Sequence, residues 1–142
     1  MSYSFKVACI ENCAGNSLVD NLSRLDVLME NAASYSPQLI CLPEFYCLLE
    51  EKDEAYVSQI YSFELHPALL HGKEMAKKFN CWILLGSIPV FVDKKRIKNR
   101  SVMLDPSGHV AGFYDKIHLF DVSIKDGQVY KESKTVSPGD EA

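Results

Sequence analysis

The sequence has no long apolar run. Its longest mostly apolar stretch, residues 81–92, falls far short of the roughly 20 residues a membrane-spanning helix needs. An excess of positive charge is also missing. Fifteen Lys plus Arg stand against 19 Asp plus Glu, for a net charge of −4, which is no footprint for nucleic acid or an anionic membrane surface. No Gly-x-Gly occurs anywhere, so a nucleotide-binding α/β domain is a poor reading. The start, Met1-Ser2-Tyr3-Ser4-Phe5-Lys6, has no charged region followed by an apolar core and does not read as a secretory signal. A soluble, cytoplasmic protein is the expectation. Cysteine is present five times, at 9, 13, 41, 47 and 81. The number is odd and no CxxC pair occurs, so neither a disulfide framework nor a zinc site is expected. Reduced, mostly buried small residues are the simpler reading. The four histidines, at 66, 71, 109 and 118, lack ligand spacing with Cys or Asp, so no metal or organic cofactor is expected.

What is present fits one folded domain. The chain has 142 residues, 47% hydrophobic and 24% charged, enough for a real core and too short for two domains. Residues 4–10 read as a strand, with Val7-Ala8-Cys9-Ile10 apolar on both faces. Ser17, with Asp20 three residues on, has the spacing of a helix N-cap. Leu18, Leu22, Leu25, Met29 and Ala32 then recur at helical steps, and Pro37 forbids much continuation past Tyr35. Leu39-Ile40-Cys41-Leu42 is a second short strand, stopped by Pro43. Residues 50–64 fit a loop or a short helix. Pro67 can open a second helix at its first position, with Leu69, Gly72, Met75 and Phe79 on one face and Asn80 as terminator.

Residues 82–88 form a third strand, and the basic segment 94–98 reads as a solvated loop. Residues 101–104 and 109–114 make a hairpin around Asp105-Pro106-Ser107-Gly108, which has the composition of a type I turn. The order β-α-β-α-β followed by a hairpin implies a mixed sheet with one helix layer. The strands do not alternate cleanly, so the opposite face is also apolar. Two helices cannot cover both faces, and exposure of that face predicts self-association or a covering partner.

Three residues stand out as chemistry. Glu44 follows Pro43 at the carboxyl end of a strand, where ligands gather in α/β sheets. Between Leu42 and Phe45 it is expected to be partly desolvated, with its pKa raised toward that of a general base; a solvated loop glutamate is the alternative. Lys116 sits in Phe113-Tyr114-Asp115-Lys116-Ile117-His118-Leu119-Phe120-Asp121, where an amine in apolar surroundings can stabilise an oxyanion; a snorkelling surface lysine is the alternative. His118 in the same run could be a ligand or base, or a structural histidine. Glu132, in a polar loop ending at Pro138-Gly139, says nothing alone.

Taken together, Leu42-Pro43-Glu44-Phe45, Leu85-Gly86-Ser87, Asn99-Arg100-Ser101, the run from Tyr114 through Asp121, and Glu132-Ser133 with Ser137-Pro138-Gly139 resemble the nitrilase, or carbon–nitrogen hydrolase, superfamily. The resemblance runs over nearly the whole chain and is strongest to the branch of ω-amidases and deaminated-glutathione amidases. It implies an α-β-β-α sandwich and a Glu–Lys–Cys triad. In that triad Glu44 would be the general base, Lys116 the stabiliser of the tetrahedral intermediate, and Glu132 a second glutamate placing substrate and lysine. The implied substrate is a small carboxamide. One departure stands out: the family's nucleophilic cysteine follows the Pro-Gly by a further strand, and none of the five cysteines matches its place. Residues 1–142 then correspond to a partial domain, the N-terminal half of the sandwich. The implied partners are a complementing C-terminal half or, for a complete enzyme, copies of itself in a homo-oligomer. A non-enzymatic half-domain that pairs with a second polypeptide is the competing reading.

Overall fold

The computed structural model describes residues 4–50, 61–93, 96–125 and 127–141. Strand β1 (Val7–Cys9) is shorter than the segment 4–10 expected for it, and leads to helix α1 (Leu18–Ala33) and strand β2 (Leu39–Cys41). Helix α2 (Pro67–Phe79) follows, then β3 (Trp82–Asp93), β4 (Arg96–Leu104), β5 (Val110–Asp115), β6 (Asp121–Ser123) and β7 (Val129–Lys131). The five-stranded sheet has the order β1-β2-β3-β4-β5. Its first three strands are parallel, and β3, β4 and β5 are antiparallel. This is the α/β mixed sheet that the order of elements implied.

The helices end where local chemistry dictates. The Ser17 hydroxyl accepts from the Asp20 N–H at the start of α1, satisfying a donor the helix cannot pair internally. Pro67 opens α2, and Asn80 closes it in the left-handed conformation at φ 48°. The N-cap of α2 was not foreseen. It is His66, whose Nδ1 accepts from the Ala68 N–H while Nε2 meets the Pro89 carbonyl. The ring is therefore the neutral tautomer with its proton on Nε2. Burial, only partly offset by the Pro89 carbonyl, pulls its pKa down to about 4.

Both helices lie on one face of the sheet and touch each other. Leu25 and Met29 of α1 and Leu69 and Ala76 of α2 pack against Ile40, Ile83, Leu85, Val102 and Leu104, all essentially sealed from solvent. The next residue along each strand points the other way. Cys9, Cys41, Leu84 and Met103 form a row across four strands in register, and none of them is buried. Beside them Val7 is 45% and Trp82 39% exposed. The described residues thus leave an apolar face open, as the sequence pattern implied.

Two expectations are corrected. The third strand does not stop at residue 88, and the segment 94–98 is not simply a solvated loop. Lys94 and Lys95 lie outside the described residues, but Arg96, Ile97 and Lys98 belong to β4, with Ile97 fully buried. The charges that suggested a loop alternate with Ile97 and Asn99, so one side of the strand is apolar or bonded while the other meets water. β2 pairs with β3 only as far as Leu84, and the Pro89 carbonyl turns away from β4 to His66, so the missing N–H of Pro89 leaves no ladder bond unmade. The second correction concerns Glu132, expected in a polar loop: a small β6–β7 hairpin leads into it. Glu132 itself opens a 3-10 turn, Glu132–Lys134. For the span 50–64, residues 51–60 lie outside the described residues, and Phe63–Leu65 form a 3-10 turn before α2.

Candidate active site

Glu44 stands in the turn after β2, and that turn is held from β3. The Phe45 N–H donates to the Ser87 hydroxyl at 2.9 Å, and the Ser87 N–H donates to the Pro43 carbonyl. Gly86 permits this approach: a Cβ there would lie 2.0 Å from the Leu42 carbonyl oxygen, an impossible contact for any side chain. Phe45 takes a positive φ of 48°, a conformation that costs energy in a non-glycine residue. The Leu-Gly-Ser sequence is therefore the clamp that sets the direction of Glu44.

Lys116 directly follows β5 and is held in the same manner. Its N–H donates to the Asn99 carbonyl, and its own carbonyl accepts from the Gly139 N–H at 2.9 Å. A Cβ on Gly139 would lie 2.3 Å from the Asp115 carbonyl oxygen, so the Pro138-Gly139 turn must be bare to dock there. Next to these contacts, Arg100 and Asp115 face each other in register and form a two-pronged ion pair at 2.7 and 2.9 Å. The guanidinium also lies 4.0 Å from the Phe113 ring centre and 4.7 Å from that of Phe63.

These supports bring all three sequence-derived residues together. The Lys116 ammonium lies 3.1 Å from Glu44 Oε1 and 3.1 Å from Glu132 Oε2. Asn99, buried on β4, donates from Nδ2 to Glu44 Oε1 at 2.6 Å and reaches Glu132 Oε1 at 3.5 Å. Glu132 is also fixed by the Phe120 N–H at 2.6 Å. The following residue, Ser133, is tied to the Asp121 carboxylate through its hydroxyl and its N–H. Those two bonds hold the Asp121 pKa below its ordinary value, with Lys131 adding to the effect.

The electrostatics favour a charged lysine. Burial pulls the Lys116 pKa down, but the hydrogen bonds and charges of Glu132 and Glu44 outweigh it, so the net shift is upward. The Lys116 and Glu132 side chains are 29% and 15% exposed. Glu44 is 56% exposed among the described residues: Leu42 packs into the core while the carboxylate stays at the cleft mouth. An ammonium has three protons. Two are taken by the carboxylates, which leaves one for a group entering the cleft.

A cavity of about 520 Å³ opens beside the cluster, lined by Glu44, Lys116 and Glu132 together with Phe120, Tyr130, Lys131 and others. None of the five cysteines lines it or the smaller cavity at Glu44 and Ser87. Cys47, three residues after Glu44, is sealed in the core, where burial pushes its thiol up to about 12. His118 is exposed and lines neither cavity. Among the described residues no group of three or more His, Cys, Asp or Glu is arranged to hold a metal ion, and no helix is long and apolar enough to cross a membrane. Sequence reasoning did not assign roles to Asn99, Gly86 and Gly139. All three lie in the quoted motifs, and their purpose is visible only in the contacts they make.

A carboxylate–lysine–carboxylate cluster at the carboxyl edge of an α/β sheet has the composition of a hydrolytic centre. The sequence profile of the carbon-nitrogen hydrolase family matches residues 6–142, and the chain belongs to that family. It is 33% identical to the deaminated glutathione amidase of Yersinia enterocolitica over 138 residues, covering 94% of this chain and 47% of that protein. With the human omega-amidase NIT2 it shares 29% identity over 137 residues, covering 96% of this chain and 49% of that protein. The chain thus spans about half the length of the curated relatives it matches. The fold is also that of the C. elegans NitFhit protein, at a TM-score of 0.85 and 22% identity, over 98% of this chain and 35% of that one. An amidase from Nesterenkonia sp. aligns at a TM-score of 0.79 and 17% identity, over 96% of this chain and 49% of that one.

Proposed function

We propose that these residues form the base-and-lysine half of an amidase centre, which hydrolyses a small carboxamide, as an ω-amidase does, to an acid and ammonia. The observation that carries the reading is the Lys116 ammonium held at 3.1 Å from each of two carboxylates on the wall of an open cavity. Glu44, the more exposed carboxylate, takes the proton of an incoming thiol. The thiolate attacks the amide carbon, and the free Lys116 proton meets the oxyanion that forms. Glu44 returns its proton to the departing nitrogen, ammonia leaves, and a thioester remains. Glu44 then activates a water that hydrolyses the thioester to the acid and restores the thiol. Glu132, pinned by the Phe120 N–H, orients the lysine. No metal or organic cofactor enters this chemistry, and the cytoplasm is the compartment we assign.

The thiol is the missing partner. None of the five cysteines lines the cavity, so the nucleophile is supplied from outside residues 1–142, by further sequence or a complementing half that seats on the open face. The same observation favours a second reading, in which these residues serve as a catalytically silent half-domain and act only by pairing. Ammonia release from small α-keto acid amides and simple carboxamides separates the two. The 142-residue chain alone is expected to release none. The longest product of its gene is expected to release ammonia and to lose about 100- to 10,000-fold on Glu44→Gln. Turnover by the purified chain alone overturns the missing-thiol argument, and an inactive full-length product favours the silent half-domain.

A further inference from the structure

Asn99 touches all three members of the charged cluster. Its Nδ2 donates to Glu44 Oε1 at 2.6 Å and reaches Glu132 Oε1 at 3.5 Å, and its carbonyl accepts the Lys116 N–H at 2.9 Å. Carboxylates only accept, so the side chain must present its NH2 end to them. Glu44 stands in a turn and Glu132 opens a 3-10 turn, but Asn99 lies on β4, an inner strand paired with both β3 and β5. A side chain on a paired strand holds its place more tightly than one on a loop. Asn99 is already 3% exposed among the described residues, so its bonds do not depend on what covers the open face. Its amide is neutral, and it adds a donor without adding a second cation to compete with Lys116.

The bonds to Glu44 fall on one oxygen. Lys116 Nζ also meets Glu44 Oε1, at 3.1 Å, and among the described residues no hydrogen bond goes to Oε2. We propose that Asn99 is a positioning residue that, with Lys116, fixes Glu44 by Oε1 and leaves Oε2 as the oxygen that takes and returns the proton. The role rests on the amidase reading proposed for the site. As the S–H bond of the incoming thiol breaks, an O–H bond forms at Oε2. Oε1 remains an acceptor and keeps both donors, so the carboxyl group need not turn during the transfer. The same proton then leaves Oε2 for the departing nitrogen. Without the Asn99 amide, the flexible four-carbon stem of Lys116 is what holds Glu44 among the described residues, and such a stem fixes no direction.

The test uses the longest product of the gene and two variants that lack the donor. Asn99→Leu fills the same space and Asn99→Ala leaves room, and each is measured only if its circular dichroism matches the parent. The first measurement needs no activity. It is a carbon NMR titration of lysine-labelled protein, in which loss of a signal in Lys116→Arg identifies Lys116. Burial lowers the Lys116 pKa, and Glu132 and Glu44 raise it by more. Once Glu44 is free to swing away, the titration should move down toward that of an ordinary lysine. The second measurement is ammonia release from small α-keto acid amides, where kcat should fall about 100-fold with KM little changed. A Lys116 titration that stays in place or rises overturns the role of Asn99, as does a parent-like kcat or a loss confined to KM. An inactive parent overturns the amidase reading instead, and the titration then decides whether Asn99 positions Glu44.

Discussion

Leu84 and Leu85 are neighbours on β3 and end in different surroundings. Leu85 is sealed beneath the helices, while Leu84 lies half-buried on the open face, in the row with Cys9, Cys41 and Met103. The same division runs through the site. Arg100 turns to the helix side, against Phe63, and joins Asp115 there. Alternation sends the adjacent Asn99 and Lys116 to the other side, where they meet Glu44 and Glu132. One face of the sheet is thus spent on stability. The other carries the charged cluster at one end and uncovered apolar surface along the rest. A strand's two faces can serve separate purposes because consecutive side chains share a backbone but no neighbours.

The largest expected effect sharpens this division directly. Leu85→Ala leaves a cavity under α2 and is expected to cost about 2–5 kcal/mol, whereas Leu84→Ala should cost less than about 1 kcal/mol. Urea unfolding of the two variants measures both, and equal losses would break the comparison.

His66 tests the covered side through pH. Its folded pKa, about 4, lies below the ordinary value near 6.5. Between these values the unfolded chain binds the extra proton, so stability falls as pH drops from about 6.5 toward 4, by on the order of 3 kcal/mol at most. His66→Gln should lose that slope relative to the parent in urea titrations at several pH values.

On the open side, Lys116→Met should cost about 1–3 kcal/mol by leaving Glu44 and Glu132 without their cation. The Lys116 pKa is raised in the folded state, so its contribution is fully present below the ordinary lysine value. It is lost only as pH rises through the higher folded value. The parent should therefore show an alkaline loss of stability that Lys116→Met lacks.

The smallest change in stability, within about 1 kcal/mol, is expected for Trp82→Lys on the open face. Its visible effect should be on association: sedimentation at rising concentration should show less self-association than the parent. An unchanged profile would mean that this face does not drive contact between copies.

Both helices and the short parallel strands were legible because helical steps of three and four, capping residues and apolar runs are local signals. The β3–β4 hairpin was legible only in part. Its basic segment carries the charge of a loop, and only pairing with Phe91 and its neighbours makes Ile97 a core residue. The three charged residues were legible through motif resemblance. The reason for the motifs was not, since Gly86 and Gly139 are required by carbonyl groups on other strands. The position of Glu44 has a related reason: its flanking residues Leu42 and Phe45 pack inward while the carboxylate turns to the cleft mouth.

The amino-acid sequence by itself determined the order of the elements through β5, the start of α1 at Ser17 and the end of α2 at Asn80, the single helix layer and the identities of the charged residues, because each depends on residues a few positions apart. The tertiary structure alone decided that Glu44, Lys116 and Glu132 share one point in space. It also decided that Asn99 bonds Glu44 while approaching Glu132, that Cys9 faces Cys41, and which side of each strand is left open. Those relations join residues far apart in the chain. They arise from strand register and close backbone approach, which no local pattern of side chains encodes.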